Sequence, residues 1–330
     1  MHLSTSPKSC PVHFLRVMRQ LDHLIGNTRL HKLDYAHGDL YTKLESQNFF
    51  GSIKDRPAYF ILKKAIESQL IDENSAVVES TSGNFGIALA CICRALRIKF
   101  VSVIDPNISA EKEKILSLNG AEIIKVTERD ETGGYLLNRI ATVKDYIRTH
   151  ENSYTPNQYG NPNNYLSYYH TLGAEIGRSM PHLDFAFISV STGGTIAGLS
   201  HRLKEHFKGI RIIAVDVEGS MIFDNKPALR KITGMGASMR TELVDKALID
   251  DVVILSQREI IKGCRELLSE HGLFLGASSG AAYAAASRWL KKPGNRNRTS
   301  LFISPDAGSS YIDTIFDQGW VNENIDREIH

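Results

Sequence analysis

The chain has 330 residues, 42% hydrophobic and 23% charged, an ordinary globular mix that is too long for one modest core and suits two α/β lobes. Its formal net charge of +2 supplies no basic field for nucleic acid, and its most basic run, Lys291 to Arg298, holds Pro293 and Gly294 and reads as a solvated loop. No stretch of about 18 apolar residues would cross a membrane, Met1 to Gln20 lacks a signal-peptide core, and Cys10, Cys91, Cys93 and Cys264 offer no CxxC pair or zinc spacing, so a reduced, cytoplasmic protein without metal is expected.

Residues 1–20 read as a loosely tied arm. Ile25-Gly26-Asn27-Thr28 is a turn, and Leu40 to Leu44 a short strand. Gly51-Ser52-Ile53-Lys54-Asp55-Arg56 is a tight loop entering a helix, with Pro57 where a first turn tolerates proline and Ala58, Ile61, Leu62 and Ile66 near helical spacing. Ala76 to Val78 predict a strand, Phe85 to Ala95 a helix in which Cys91 and Cys93 read as small buried side chains, and Phe100 to Ile104 a strand. Ala110 to Leu118 read as a helix, Glu122 to Val126 as a strand, and a helix runs from Gly133-Gly134 through Ile147. This alternation predicts right-handed crossovers and a parallel sheet. Turn formers crowd residues 155–164 and read as a crossing between lobes. A helix through Ile176 follows, then a strand at 185–190, a helix at 195–207, and strands at 211–217 and 252–255. Helices at 257–271 and 279–290 and a strand at 301–304 complete the pattern. Residues 218–249 are irregular, and a loop of that length in a compact domain is usually functional.

Four stretches fit one chemistry: the Lys54 loop, Thr81-Ser82-Gly83-Asn84, Ser191-Thr192-Gly193-Gly194-Thr195 and Gly276-Ala277-Ser278-Ser279-Gly280. Lys54 alone is compatible with a solvated lysine. The Ser191 stretch lies between strand and helix, where glycines let backbone N–H groups and a helix dipole face an anion; a tight packing turn is the alternative. It is neither a Walker loop nor GxGxxG. Thr81 to Asn84 and Ser278 read either as helix caps or as donors, for a carboxylate and for a pyridine nitrogen respectively. Taken together, the four suggest a lysine carrying a cofactor aldehyde, an anion loop for its phosphate and polar residues around its ring.

In order and spacing these motifs, from Ile25-Gly26-Asn27-Thr28 to Pro305-Asp306-Ala307-Gly308, resemble the cysteine synthase and cystathionine β-synthase family of fold type II pyridoxal-phosphate enzymes. The resemblance implies a tryptophan synthase β-like α/β fold, two lobes each with a mostly parallel sheet flanked by helices. Residues 1–45 with 156–330 would form a large cofactor-phosphate-binding domain, and 46–155 a smaller, mobile substrate-binding domain. Lys54 would be the catalytic lysine that holds pyridoxal 5'-phosphate. Asn84 would bond the cofactor's 3′-oxygen, Ser191, Thr192, Gly193, Gly194 and Thr195 would wrap its phosphate, and Ser278 would meet its ring nitrogen. A neutral hydroxyl there would suit β-elimination, in which the leaving group disposes of the electrons. Thr81, Ser82, Gly83 and Gln158 would hold the substrate carboxylate, and Gly234 to Ser238, with Gly236, would line the cleft. Small amino-acid substrates and a homodimer are implied.

A narrower likeness rests on Lys54 to Ala58, Glu79 to Asn84, Gly133-Gly134-Tyr135, Gln158-Tyr159, Gly236-Ala237-Ser238 and the run from Val215-Asp216 through Gly219-Ser220 to Asp224-Asn225-Lys226-Pro227. It resembles the branch of the family that joins O-phospho-L-serine to L-glutamate by β-replacement, through an aminoacrylate, on the route to 2,3-diaminopropionate and siderophores. The chain departs from plain cysteine synthases at Phe85, Tyr159, Ser191 and Asn48-Phe49-Phe50-Gly51, and Tyr159 and Ser191 add polar groups for a second substrate. Arg139 is a candidate for an anionic substrate group, with a surface arginine on a helix as the alternative reading. The competing functions are a cysteine or cysteate synthase taking sulfide or sulfite, and a non-catalytic regulator that binds the cofactor.

Overall fold

A computed structural model describes residues 12–131, 133–224, 226 and 228–326. In chain order it forms α1 (Val12–Asp22), β1 (Leu30–Leu33), β2 (Gly38–Leu44), α2 (Asp55–Glu67), β3 (Ala76–Ser80), α3 (Asn84–Leu96), β4 (Lys99–Ile104) and α4 (Ala110–Leu118). Next come β5 (Glu122–Lys125), α5 (Leu136–Thr149), β6 (Ser153–Tyr154), α6 (Pro162–His170), α7 (Leu172–Ser179), β7 (Phe185–Ser189), α8 (Gly194–His206) and β8 (Arg211–Val217). The chain ends with α9 (Glu242–Asp245), β9 (Asp251–Leu255), α10 (Gln257–His271), α11 (Ala277–Leu290), β10 (Arg298–Ser304) and α12 (Gln318–Val321).

Two compact units result, one of residues 12–25 with 54–157 and one of 26–53 with 158–326. The first holds a four-stranded sheet in the order β5-β4-β3-β6, every pair parallel. Val78, Val101, Val103, Val143 and Tyr146 form a core between that sheet and α5. The second holds a six-stranded sheet, β1-β2-β10-β7-β8-β9, parallel except for the β1–β2 pair. Its core lies in two clusters, one including Phe187, Phe302 and Leu267, the other Leu199, Ile212 and Leu301.

Each sheet has one place where the chain changes direction of travel. From β3 the chain moves to β4 and β5 on one side and returns as β6 on the other; from β7 it moves to β8 and β9 and returns as β10. The carboxyl ends of strands at such switch points are where open α/β sheets bind ligands. Thr81 follows β3, and Ser191 follows the end of β7 by two residues.

The described part of the expected N-terminal arm is a helix. Phe14, Val17, Met18 and Leu21, a three-four stripe, bury one face of α1, and the helix packs on α3 in the first unit. The Tyr59 hydroxyl bonds the Asp22 carboxylate at its end. The single helix expected through Ile176 is two, broken at Thr171 (φ −108°, ψ −82°). The short strands β1 and β6 were not expected. Cys93 and Cys264 are buried and Cys91 half-buried; burial pushes the Cys264 thiol up to about 12 and the Cys91 thiol up to about 11, so neither is a reactive thiolate near neutral pH. Among the described residues no helix is long and apolar enough to cross a membrane, and no His, Cys, Asp or Glu cluster could hold a metal.

α10 and α11 meet backbone to backbone. A Cβ on Gly263 would lie 2.2 Å from the Gly280 carbonyl oxygen, and one on Gly280 would lie 2.2 Å from Cys264 Sγ. Replacement of Gly263 by alanine must spread the pair, at about 1–3 kcal/mol. Thermal unfolding should show Gly263→Ala melting roughly 1–4 °C below wild type.

Candidate active site

The lysine loop is fixed by backbone contacts. A turn follows β2, closed by Gly51 N donating to Asn48 O at 2.9 Å. Ser52 then pairs antiparallel with Asp306, and Ile53 N donates to Pro305 O at 2.8 Å. The Ile53 side chain is buried. Lys54 comes next and opens α2 in helical geometry (φ −73°, ψ −14°) without a side-chain cap. It is half-buried, whereas Asp55 and Arg56 are buried.

Residues 305–307 bond a second loop as well. Leu275 bridges Ala307, and Gly276 N donates to Asp306 O at 3.1 Å. Gly276 is the N-cap of α11, so Ser278, weighed above as a cap, is instead inside the first turn. Ser278 is buried, and its carbonyl accepts from Ser189 Oγ at 2.7 Å. Its hydroxyl has no hydrogen-bond partner among the described residues, and the neighbouring Ser279 Oγ is buried and equally unpartnered.

The 191–195 stretch wraps the start of α8. Gly193 is its N-cap at φ +84°, a conformation that favours glycine, and no side chain caps the helix. The first N–H groups of α8 are therefore left for an anion. Two approaches from outside shape the loop. A Cβ on Gly193 would lie 2.6 Å from Val244 N, and one on Gly194 would lie 2.1 Å from Asn164 Oδ1. Asn164 is buried; its Nδ2 donates to Gln158 O at 2.6 Å while Oδ1 has no hydrogen-bond partner among the described residues. Within this unit Gln158 is thus brought to the glycine loop. Tyr159 beside it is half-buried.

The irregular region expected to be functional is laced to the same loop. Thr241 Oγ1 donates to Thr192 O at 2.8 Å, Ser191 Oγ to Gly236 O at 3.1 Å, and Gly236 N to Val190 O at 2.8 Å. Ser191, Gly236 and the glycine loop are therefore together. Asn225 and Pro227 lie outside the described residues.

In the first unit, Thr81 is buried at the end of β3, and its carbonyl accepts from Ser102 Oγ at 2.8 Å. The cap weighed for this stretch is not made by a hydroxyl: Gly83 is the N-cap of α3, with no side-chain cap bond, and Asn84 is the first helical residue. Arg139 on α5 is not a surface arginine. It is 8% exposed, and Nη1 reaches Ser82 Oγ at 3.4 Å. Nε lies 3.2 Å from Asp105 Oδ2 but is not aligned to hydrogen-bond it. A buried guanidinium with one long bond and one misdirected donor retains capacity for an anion.

Asn164, Asp105, Thr241 and Asp306 were missed by the sequence reading. Each acts on a motif distant in sequence, and only the Pro305–Gly308 motif gave any signal. A separate cavity of about 360 Å³ lies between α10 and the C-terminal turns, lined by Arg258, Ile261, Lys262, Arg265 and Val321; no residue expected at the site lines it.

Residues 21–306 match the family model described as "Pyridoxal-phosphate dependent enzyme". The chain belongs to this family. A curated relative, the N-(2-amino-2-carboxyethyl)-L-glutamate synthase of Ralstonia nicotianae, is 38% identical over 92% of this chain and 91% of its own. An O-acetylserine-dependent cystathionine β-synthase from Helicobacter pylori superposes with a TM-score of 0.83 at 31% identity, covering 89% of this chain and 97% of that one. A hydrogen sulfide-producing enzyme from Fusobacterium nucleatum does so at 0.82 and 29%, covering 88% and 98%. The fold is therefore fold type II, and the chain is a pyridoxal-phosphate-dependent enzyme of the cysteine synthase group.

The residues fit that cofactor. An uncapped helix start behind two glycines suits a phosphate, and the unpartnered hydroxyl of Ser278, a residue that is itself buried, suits a ring nitrogen. Because Asn164 fills the space beside Gly194, Gly194→Ala should push the loop off its helix. We expect cofactor affinity to fall about tenfold or more, measured by equilibrium dialysis of pyridoxal phosphate against the apoenzyme.

Proposed function

We propose that the chain joins O-phospho-L-serine and L-glutamate to give N-(2-amino-2-carboxyethyl)-L-glutamate and phosphate. The observation that carries the choice of donor is the buried, under-bonded Arg139 beside Ser82, a place for the phosphate of O-phospho-L-serine that an uncharged acetyl group would not need. The similarity to the Ralstonia nicotianae synthase supports it.

In this reading Lys54 holds the cofactor, Asn84 bonds its 3′-oxygen, Ser191 to Thr195 hold its phosphate through the start of α8, and Ser278 faces its ring nitrogen. Bound pyridoxal phosphate supplies the electron-withdrawing ring that makes the donor's α-proton removable. Thr81, Ser82, Gly83 and Gln158 orient the donor carboxylate. Lys54 Nζ, freed when the donor's amine takes its place on the cofactor, would accept the Cα proton. Phosphate leaves Cβ with the electrons of the C–O bond, and Arg139 offers its donors to the anion. The α-amine of glutamate then forms the Cβ–N bond and gives up a proton, and Lys54 returns the proton to Cα. Tyr159 and Gly236 contribute to the acceptor side. A small, mobile substrate-binding lobe at 46–155, a homodimer and a cytoplasmic location belong to the same reading.

Product analysis with phosphoserine plus glutamate, sulfide or sulfite tests it. The glutamate adduct is expected with phosphoserine; cysteine or cysteate as the favoured product would move the chain to the sulfide or sulfite reading. A cofactor absorbance band unchanged by phosphoserine or acetylserine would favour a non-catalytic regulator.

Replacing Arg139 should separate the two donors. Arg139→Ala is expected to raise KM for phosphoserine about 10- to 100-fold, the worth of a charge-assisted contact, while KM for acetylserine changes little. Arg139→Lys keeps the charge and should fall between. Full phosphoserine kinetics in Arg139→Ala would remove this residue from the site.

A further inference from the structure

The end of β2, just before the lysine loop, buries charge where apolar side chains would pack. Lys43 is 1% exposed, and its Nζ donates at 2.6 Å to Thr28 O, to Thr28 Oγ1 and to Glu175 Oε2 on α7. Thr28 Oγ1 gives its hydrogen to Glu45 Oε1 at 2.6 Å. Glu45 is fully buried, and its Oε2 accepts from Asn48 Nδ2 at 2.9 Å. The same Nδ2 reaches Glu45 O at 2.8 Å, and Asn48 Oδ1 takes the Gly26 N–H at 2.8 Å. The chain of bonds thus ends on Asn48, whose carbonyl closes the turn to Gly51.

Burial of such ions costs several kcal/mol each before their attraction is counted, and apolar residues of similar volume often stabilise as well or better. What ions and an amide add is direction. Each donor here has a set acceptor, so β2, α7 and the turn are fixed in one arrangement. Phe49 beside it is 57% exposed and meets Phe50 edge-on at 5.0 Å. Gly51 at φ +94° adds no side chain. Asn48 is the buried polar anchor of the turn, and Lys54 follows Gly51 by three residues.

We propose that Lys43, Thr28, Glu45, Glu175 and Asn48 form a positioning relay that sets the Asn48–Gly51 turn and so the entry of Lys54 into α2. They are positioning residues and touch neither cofactor nor substrate. The inference rests on the reading that Lys54 holds the cofactor.

Two variants test it in the full chain. Asn48→Ala cuts the turn from the relay and leaves the buried charges in place; Thr28→Val removes one hydroxyl from its middle with little change of shape. For each, the rate at which apoenzyme gains yellow absorbance on adding pyridoxal phosphate is measured with kcat, KM for the donor and the melting temperature. Misplacement of a reacting group by about an ångström costs up to ~100-fold. We expect the uptake rate and kcat to fall about tenfold in Asn48→Ala and by a smaller factor in Thr28→Val, with KM within about twofold. Asn48→Asp, which puts a carboxylate against Glu45, should be worse than Asn48→Ala.

Wild-type uptake and kcat in both variants, with or without a lower melting temperature, would overturn the proposal. If Asn48→Ala does not fold, Thr28→Val decides by the same readings. A Lys54→Ala control keeps the outcomes apart: if it yellows as wild type does, the lysine assignment fails rather than the relay.

Discussion

Three residues of backbone, Pro305 to Ala307, hold the second unit's part of the site together. They leave the carboxyl end of β10 and accept or bridge on two sides. Ser52 and Ile53 lie on one side and Leu275 and Gly276 on the other. One loop leads into Lys54 and the other starts the helix of Ser278. Because these are main-chain bonds, any L-residue sequence that keeps the backbone path keeps them. Side chains then exclude alternatives: Asp306 Oδ1 stands 2.2 Å from where a Cβ on Gly276 would be, and Tyr311 bonds Asp306 Oδ2 at 3.1 Å. A glycine is needed at 276 because a carboxylate and a ring occupy its side-chain space.

The same economy recurs at the helix starts. α4, α6 and α10 are closed by Ser109, Asn161 and Ser256 side chains, the last with a full capping box. α2, α3, α8 and α11, which begin at the four motifs, have no side-chain cap, as is also true of α5, α7 and α9. A cap satisfies the orphan N–H groups that an anion would otherwise meet. Leaving them uncapped forgoes about 1 kcal/mol per helix in the empty protein, and the field of the helix end then favours a bound anion.

Much of this was legible from the chain. Ala58, Ile61, Leu62 and Ile66 announced the buried face of α2, and all four are buried. Strand-helix alternation gave both parallel sheets, since that connection leaves few other choices. What failed did so for identifiable reasons. The stripe of α1 was hidden among Arg16, Arg19 and Gln20, whose exposed positions lie between its apolar ones. The break at Thr171 has no glycine or proline to mark it. At Ser278 and Thr81 to Asn84 the residue types suit a cap and a ligand equally, and only backbone geometry separates the two. Arg139 was ambiguous because burial is a tertiary property: the α5 position that carries it is closed over by Asp105, on the loop after β4, and by Ser82, 57 residues away in sequence.

Family and substrate are therefore written in different parts of the molecule. In the proposed site the anion would meet peptide N–H groups behind glycines, which are main-chain groups that surrounding side chains do not supply. That is why four short motifs suffice to reveal the fold and cofactor. In the proposed function, discrimination between substrates would rest on single side chains such as Arg139, Tyr159 and Ser191. Each acquires meaning only from its neighbours: Ser191, expected as a phosphate donor, spends its hydroxyl on the Gly236 carbonyl. A hydroxyl so used contributes by holding the 234–238 loop rather than by adding a donor. The hydroxyl at position 191 thus holds that loop, and in the proposed function it is Arg139 that would meet the substrate's charge.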